Sequence, residues 1–159
     1  MNKLVSELPS KNVVGIYDGA NLHVAGLDGV HEYFAMRGVL GWFHIKDYNQ
    51  PCPGGRTVDE EALKHFCPAD RGLVGHQAIM DDFASRQVET YEKLRAFGIP
   101  GIPADVEGHI DGGGLFGGFS NPVGFGMAVR GLLNVLDRAG IKYELRDHDQ
   151  MVSFQQYCQ

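Results

Sequence analysis

Three short apolar runs, each ending in a side chain able to hold a proton or a metal ion, constrain this chain more than anything else in it. Val13 to Tyr17 runs into Asp18. Gly41 to Phe43 runs into His44 and on through Ile45 to Lys46 and Asp47, and Ile99 to Val106 runs into Glu107. Short uninterrupted apolar runs fit strands buried on both faces. Pro100 and Pro103 weaken the third run, because proline supplies no donor to a ladder.

Helical patterns lie between and after these runs. Asp28 is placed to cap a helix running to about Arg37, with Val30, Tyr33 and Phe34 facing inward. Residues 76–97 repeat apolar positions at helical spacing through Ile79, Met80, Phe83, Tyr91 and Leu94, and Gly98 follows as a stop. Ser120-Asn121-Pro122 opens another helix, with Phe125, Ala128, Val129, Leu132, Leu133 and Leu136 on its inner stripe and Gly140 at its end. A helical stub over Leu4–Leu8 is stopped by Pro9, and a long loop carries Pro51, Pro53, Gly54 and Gly55. The strand–helix alternation predicts an α/β fold with parallel strands and crossover helices. A chain of 159 residues with no internal linker predicts a single domain over 1–159.

Composition excludes several classes. With 43% apolar and 21% charged residues the chain reads as globular. No apolar run approaches the roughly 20 residues that span a bilayer, so no membrane is expected. The start, Met1-Asn2-Lys3-Leu4, has no apolar core of a secretory signal. Fourteen Lys and Arg against twenty Asp and Glu give a net charge of −6, without the basic footprint of a nucleic-acid binder. Cys52, Cys67 and Cys158 form no C-x-x-C pair, and an odd count is a poor disulfide framework, so a cytoplasmic protein with reduced thiols is expected. Glycine is abundant at 22 residues, clustered at Gly54-Gly55 and between Gly112 and Phe119. The second cluster leads into a helix N-terminus, which suits a phosphate or sugar hydroxyl. It equally suits a close-packed loop needing positive φ.

In parallel α/β folds, chemistry collects beyond the carboxyl ends of the strands. Asp18, His44 and Glu107 all fall there, and two carboxylates with one imidazole suit a divalent ion, Mn²⁺ first, with Mg²⁺, Co²⁺ or Zn²⁺ also matching. Each has a plainer reading: Asp18 as a cap, His44 as a hydrogen-bonded core histidine, Glu107 as loop polarity. Lys46 shares the parity of His44 and so points to the same side, either toward a substrate oxygen or into solvent at a strand end. Arg56, in Gly54-Gly55-Arg56-Thr57, is either a clamp for a carbonyl or phosphate oxygen or an ordinary surface arginine.

Taken together, Tyr17-Asp18-Gly19-Ala20-Asn21-Leu22, His44-Ile45-Lys46-Asp47-Tyr48 and Val106-Glu107-Gly108-His109 with the glycine-rich loop resemble the sugar phosphate isomerase/epimerase family of xylose isomerase-like TIM barrels. The resemblance runs from about residue 4 to residue 146. It implies a partial (β/α)8 barrel of about three parallel βα units, matching the sixth, seventh and eighth strands. It implies metal ligands at Asp18, His44 and Glu107 and an acid–base role for Glu107; Lys46 is a further catalytic candidate, and Arg56, Asn21 and His109 are the candidate substrate contacts. The implied activity is proton transfer next to the carbonyl of a sugar or sugar phosphate, through an enediolate. The chain departs from the family in three ways. It is shorter than the roughly 250 residues of a full barrel. The family's first glutamate ligand has no counterpart, and Glu107-Gly108-His109 stands where E-P-H is usual.

Three parallel strands of an opened barrel leave two free edges and an uncovered inner side, here expected to include Trp42, Phe43 and Ile45. A homo-oligomer or a missing N-terminal half-barrel is therefore the expected partner. The alternative reading is a non-catalytic ligand-binding or interaction remnant of the same fold. A DNA-repair endonuclease of the same superfamily fits less well, since Asn21 stands where it needs a histidine and no D-x-H follows His44.

Overall fold

The structure is a computed structural model that describes residues 7, 13–51, 60–96, 98, 101–107 and 122–144. In chain order its elements are β1 (Gly15–Asp18), α1 (Gly19–Val24), α2 (Gly29–Met36), a 3₁₀ turn (Arg37–Val39), β2 (Leu40–Ile45), β3 (Asp47–Tyr48), α3 (Glu60–Leu63), β4 (Phe66–Cys67), α4 (His76–Arg95), β5 (Ala104–Val106) and α5 (Pro122–Ala139). β1, β2 and β5 form a parallel sheet in that order, and β3 pairs antiparallel with β4. The fold is mixed α/β, as the alternation predicts. No helix among the described residues is long and apolar enough to cross a membrane.

Sheet register fixes which side chains share a face. Ile16, Tyr17 and Asp18 lie beside Trp42, Phe43 and His44, and Phe43, His44 and Ile45 lie beside Ala104, Asp105 and Val106. Tyr17, Phe43 and Ile45 therefore form one row set, and all three are buried. α2 and α4 close over it: the Phe43 ring stacks 6.5 Å from Tyr33 and meets Phe83 edge-on at 5.4 Å. The Tyr17 hydroxyl donates to the Gly29 carbonyl at 3.0 Å, and burial pushes its phenol pKa upward. The opposite face is open, with Ile16 48% exposed and Trp42 half-buried. Strands buried on both faces are thus corrected to strands buried on one, because among the described residues the helices pack on a single side. The expected exposure of Phe43 and Ile45 is corrected for the same reason, while Trp42 does lie on the open face. There its indole N–H donates to Asp105 Oδ2 at 3.0 Å.

The helices follow their capping and spacing signals. Asp28 caps α2 by accepting from His31 N at 2.8 Å. Tyr33 and Met36 fill its inner face, whereas Phe34, expected inside, is 44% exposed and carries the Arg37 guanidinium 4.9 Å from its ring centroid. On α4, Ile79, Met80, Phe83 and Leu94 are buried as expected, and the side chain of Tyr91 lies outside what is described. On α5, Ala128, Leu132 and Leu136 are buried, but Phe125 is exposed. Gly75 opens α4 with φ +87°, a left-handed conformation that a side chain disfavours. The third strand is shorter than expected and begins at Ala104. Pro103 lacks an N–H, but its carbonyl still accepts from Phe43 N at 3.0 Å.

The long loop expected after the second strand holds more structure than its composition suggests. β3 and β4 form a small hairpin, and Tyr48 packs edge-on against Phe66 with ring centroids 5.3 Å apart. The glycine-rich stretch Gly112–Phe119, the stub over Leu4–Leu8 apart from Glu7, and the Ser120-Asn121 cap lie outside the described residues.

Candidate functional site

The carboxyl ends of the three parallel strands meet at one place. Asp18 ends β1, and its register partner on β2 is His44. Glu107 stands one residue beyond β5, tied on by its own N–H to the Ile45 carbonyl at 3.1 Å. The parity of Asp105 and Glu107 puts the glutamate on the same open face as Asp18 and His44. One ligand atom from each of Asp18, His44 and Glu107 lies within 4.8 Å of the others, a group that could hold a metal ion. His44 Nδ1 is 3.0 Å from Glu107 Oε1 and 3.8 Å from Asp18 Oδ2.

Asp18 does two things at once. It is the N-cap of α1, with Oδ1 accepting from Asn21 N at 3.0 Å. Its Oδ2 accepts from Asn21 Nδ2 at 2.5 Å and from Lys46 Nζ at 2.9 Å. The plain reading of Asp18 as a cap is therefore correct, and the same carboxylate also stands in the candidate cluster. Capping fixes the rotamer that presents the carboxylate. Asn21, expected at a substrate, is engaged with Asp18.

Lys46 is the deepest member. It is only 3% exposed, so the solvated strand end is excluded. Its ammonium bridges Asp18 and Glu107, and lies 5.8 Å from the Phe66 ring centroid. Two features hold the backbone beneath it. The Lys46 carbonyl is 2.8 Å from Nε2 of the buried His76, at the start of α4. The buried Asp47 carboxylate accepts from Tyr48 N at 2.7 Å and Val74 N at 2.9 Å. Burial pushes the Asp47 carboxyl above its ordinary range, opposed by the nearby His76 and the two backbone donors. Nothing local in the sequence pointed to His76 or Val74, which stand about 30 residues from Lys46 and reach it only through the loop after β4.

An open groove runs beside β1, lined by Ile16, Asp18, Asn21, Leu22, Glu32 and Met36. It adjoins the cluster through Asp18 and offers a small molecule an apolar wall with carboxylate and amide groups. Arg56 and His109, both expected at a substrate, lie outside the described residues.

A scan against protein-family models finds no match to this chain, and a search of curated proteins finds none either.

Proposed function

We propose that this chain is a metal-dependent isomerase/epimerase-like protein that moves a proton next to the carbonyl of a sugar or sugar phosphate through an enediolate. The observation that carries the reading is the convergence of Asp18, His44 and Glu107 beyond three neighbouring parallel strands. The donor set fits a divalent ion, and Mn²⁺ is the first candidate, ahead of Mg²⁺, Co²⁺ or Zn²⁺. Bound there, such an ion supplies Lewis-acid polarisation of a carbonyl oxygen. Glu107 is the base and acid that carries the proton, since it is the carboxylate not committed to capping a helix. Asn21 and Lys46 hold Asp18 in place. The groove beside β1 receives the carbon chain.

In this reading the three strands are the last strands of a TIM barrel. The open face with Ile16 and Trp42 supports it, and so do the edges of β1 and β5, which have no second neighbour among the described residues. An N-terminal half-barrel or a second copy supplies the rest. A second reading, a non-catalytic remnant, is favoured by one observation: Lys46 already satisfies both carboxylates without a metal.

The test is Mn²⁺ content after purification together with ketose epimerisation, for the chain alone and with a half-barrel partner. Bound Mn²⁺ that is lost in His44→Ala, with turnover at least in the completed assembly, is the expected result. Absence of turnover in both preparations with no bound metal sinks the proposal and leaves the remnant reading.

A further inference from the structure

The cluster holds a fixed positive charge of its own. Exposure falls steadily through it: the His44 side chain is 32% exposed, Glu107 26%, Asp18 17% and Lys46 2%. The imidazole stands at the opening and the ammonium at the floor. Between them, Asp18 and Glu107 bring two negative charges, and Lys46 cancels one. Asp18 Oδ2 and Glu107 Oε2 both face the ammonium. The Lys46 side chain is buried among its neighbours. The His76 and Asp47 contacts pin its backbone, and the Phe66 ring flanks the ammonium itself.

We infer that Lys46 is a built-in competitor that sets how tightly this site holds a divalent cation. The inference rests on the metal reading above and goes beyond it. Ammonium and dication draw on the same two carboxylates a few ångströms apart, and the ammonium side of the cluster is buried. The carboxylates are therefore held in position before any metal arrives, and the affinity is held down by the like charge behind them. A loaded site would carry two plus charges from the ion, one from Lys46 and two minus charges, a net positive one. That favours an oxyanion, such as an enediolate or a carboxylate, as the next ligand over a neutral alcohol.

The experiment is Mn²⁺ titration by calorimetry of the wild type, Lys46→Met and Lys46→Gln, with circular dichroism to establish folding. Both neutral variants are expected to bind Mn²⁺ at least about tenfold more tightly, because a full like charge at this range outweighs that factor. Either folded variant binding no more tightly than the wild type, where the wild type does bind, overturns the inference and leaves the metal reading standing. Binding by the neutral variants alone supports the inference and overturns the metal reading for the natural chain. No binding by any folded protein overturns both. Should the neutral variants unfold without metal, recovery of the native spectrum in millimolar Mn²⁺ supports the inference, and failure to recover overturns it.

Discussion

Replacing Asp47 with alanine removes the acceptor for two backbone donors that have no water to turn to. Oδ1 of Asp47 accepts from Tyr48 N and Val74 N, and none of the three residues is more than 2% exposed. A buried donor left unpaired costs about 1–3 kcal/mol, so two cost about 2–6 kcal/mol. Part of this is offset, because burial also disfavours the ionised carboxylate that the substitution removes. We expect Asp47→Ala to lower the unfolding free energy by about 2–4 kcal/mol near neutral pH. Asp47→Asn keeps an acceptor in the same place and sheds the charge, so it should lie within about 1 kcal/mol of the wild type. Urea unfolding followed by the fluorescence of Trp42, the single tryptophan, and by circular dichroism measures both. The pH dependence gives a second reading of the same group. The folded carboxyl titrates above the unfolded one. At low pH both states are protonated, and as pH rises through the ordinary carboxylate range the unfolded chain releases its proton first. The Asp47 contribution therefore falls with rising pH until the folded group also ionises, and is flat above that. Asp47→Asn lacks this component, so the stability of the wild type relative to it should decline across that window. An alanine variant as stable as the wild type, an asparagine variant as damaged as the alanine one, or a relative stability that climbs with pH would each refute the reasoning.

Two further outcomes follow from the same corner of the fold. A Cβ on Gly72 would collide with the Asp47 carboxyl, which its two backbone donors hold fast, so Gly72→Ala should cost at least about 1–3 kcal/mol in the same urea assay. Cys67 is buried and its thiol is pushed up to about 12 by desolvation, so peptide mapping after native alkylation should find it unmodified, and modified once urea unfolds the chain.

The sequence carried the site better than it carried the surroundings of the site. Asp18, His44 and Glu107 were readable because each ends an apolar run, and parallel pairing of such runs leaves their last residues side by side. Lys46 was readable as far as its direction, since parity with His44 is a local property. Its burial was not, because that depends on Phe66 and on the return of the chain to His76. The burial of the strands misled for a related reason. Val13 to Tyr17 is continuously apolar, yet Ile16 lies open and Tyr17 is enclosed. An apolar run reports what a strand tolerates on each face, and only the helices decide which face is covered. Phe34 and Phe125 show the converse on helices, where spacing marks a stripe but its margins remain outside the contact. The β3–β4 hairpin was hidden because two-residue strands are too short for a periodic signal.

The open sheet face and the candidate site are one surface. Asp18 and His44 share their face with Ile16 and Trp42, and Trp42 is already joined to Asp105 across β2 and β5. Anything that covered Ile16 and Trp42 would also take water from beside His44 and Glu107, the more exposed members of the cluster. Removing that water strengthens every charge interaction in the site, including the opposition between Lys46 and an incoming cation. It would also sharpen the proton transfer proposed for Glu107, because a carboxylate stripped of solvent is a stronger base. Under the proposed function, assembly and chemistry would therefore be coupled through the same residues. A chain left with this face uncovered has the ligands in register but lacks the low-dielectric wall that would make them effective.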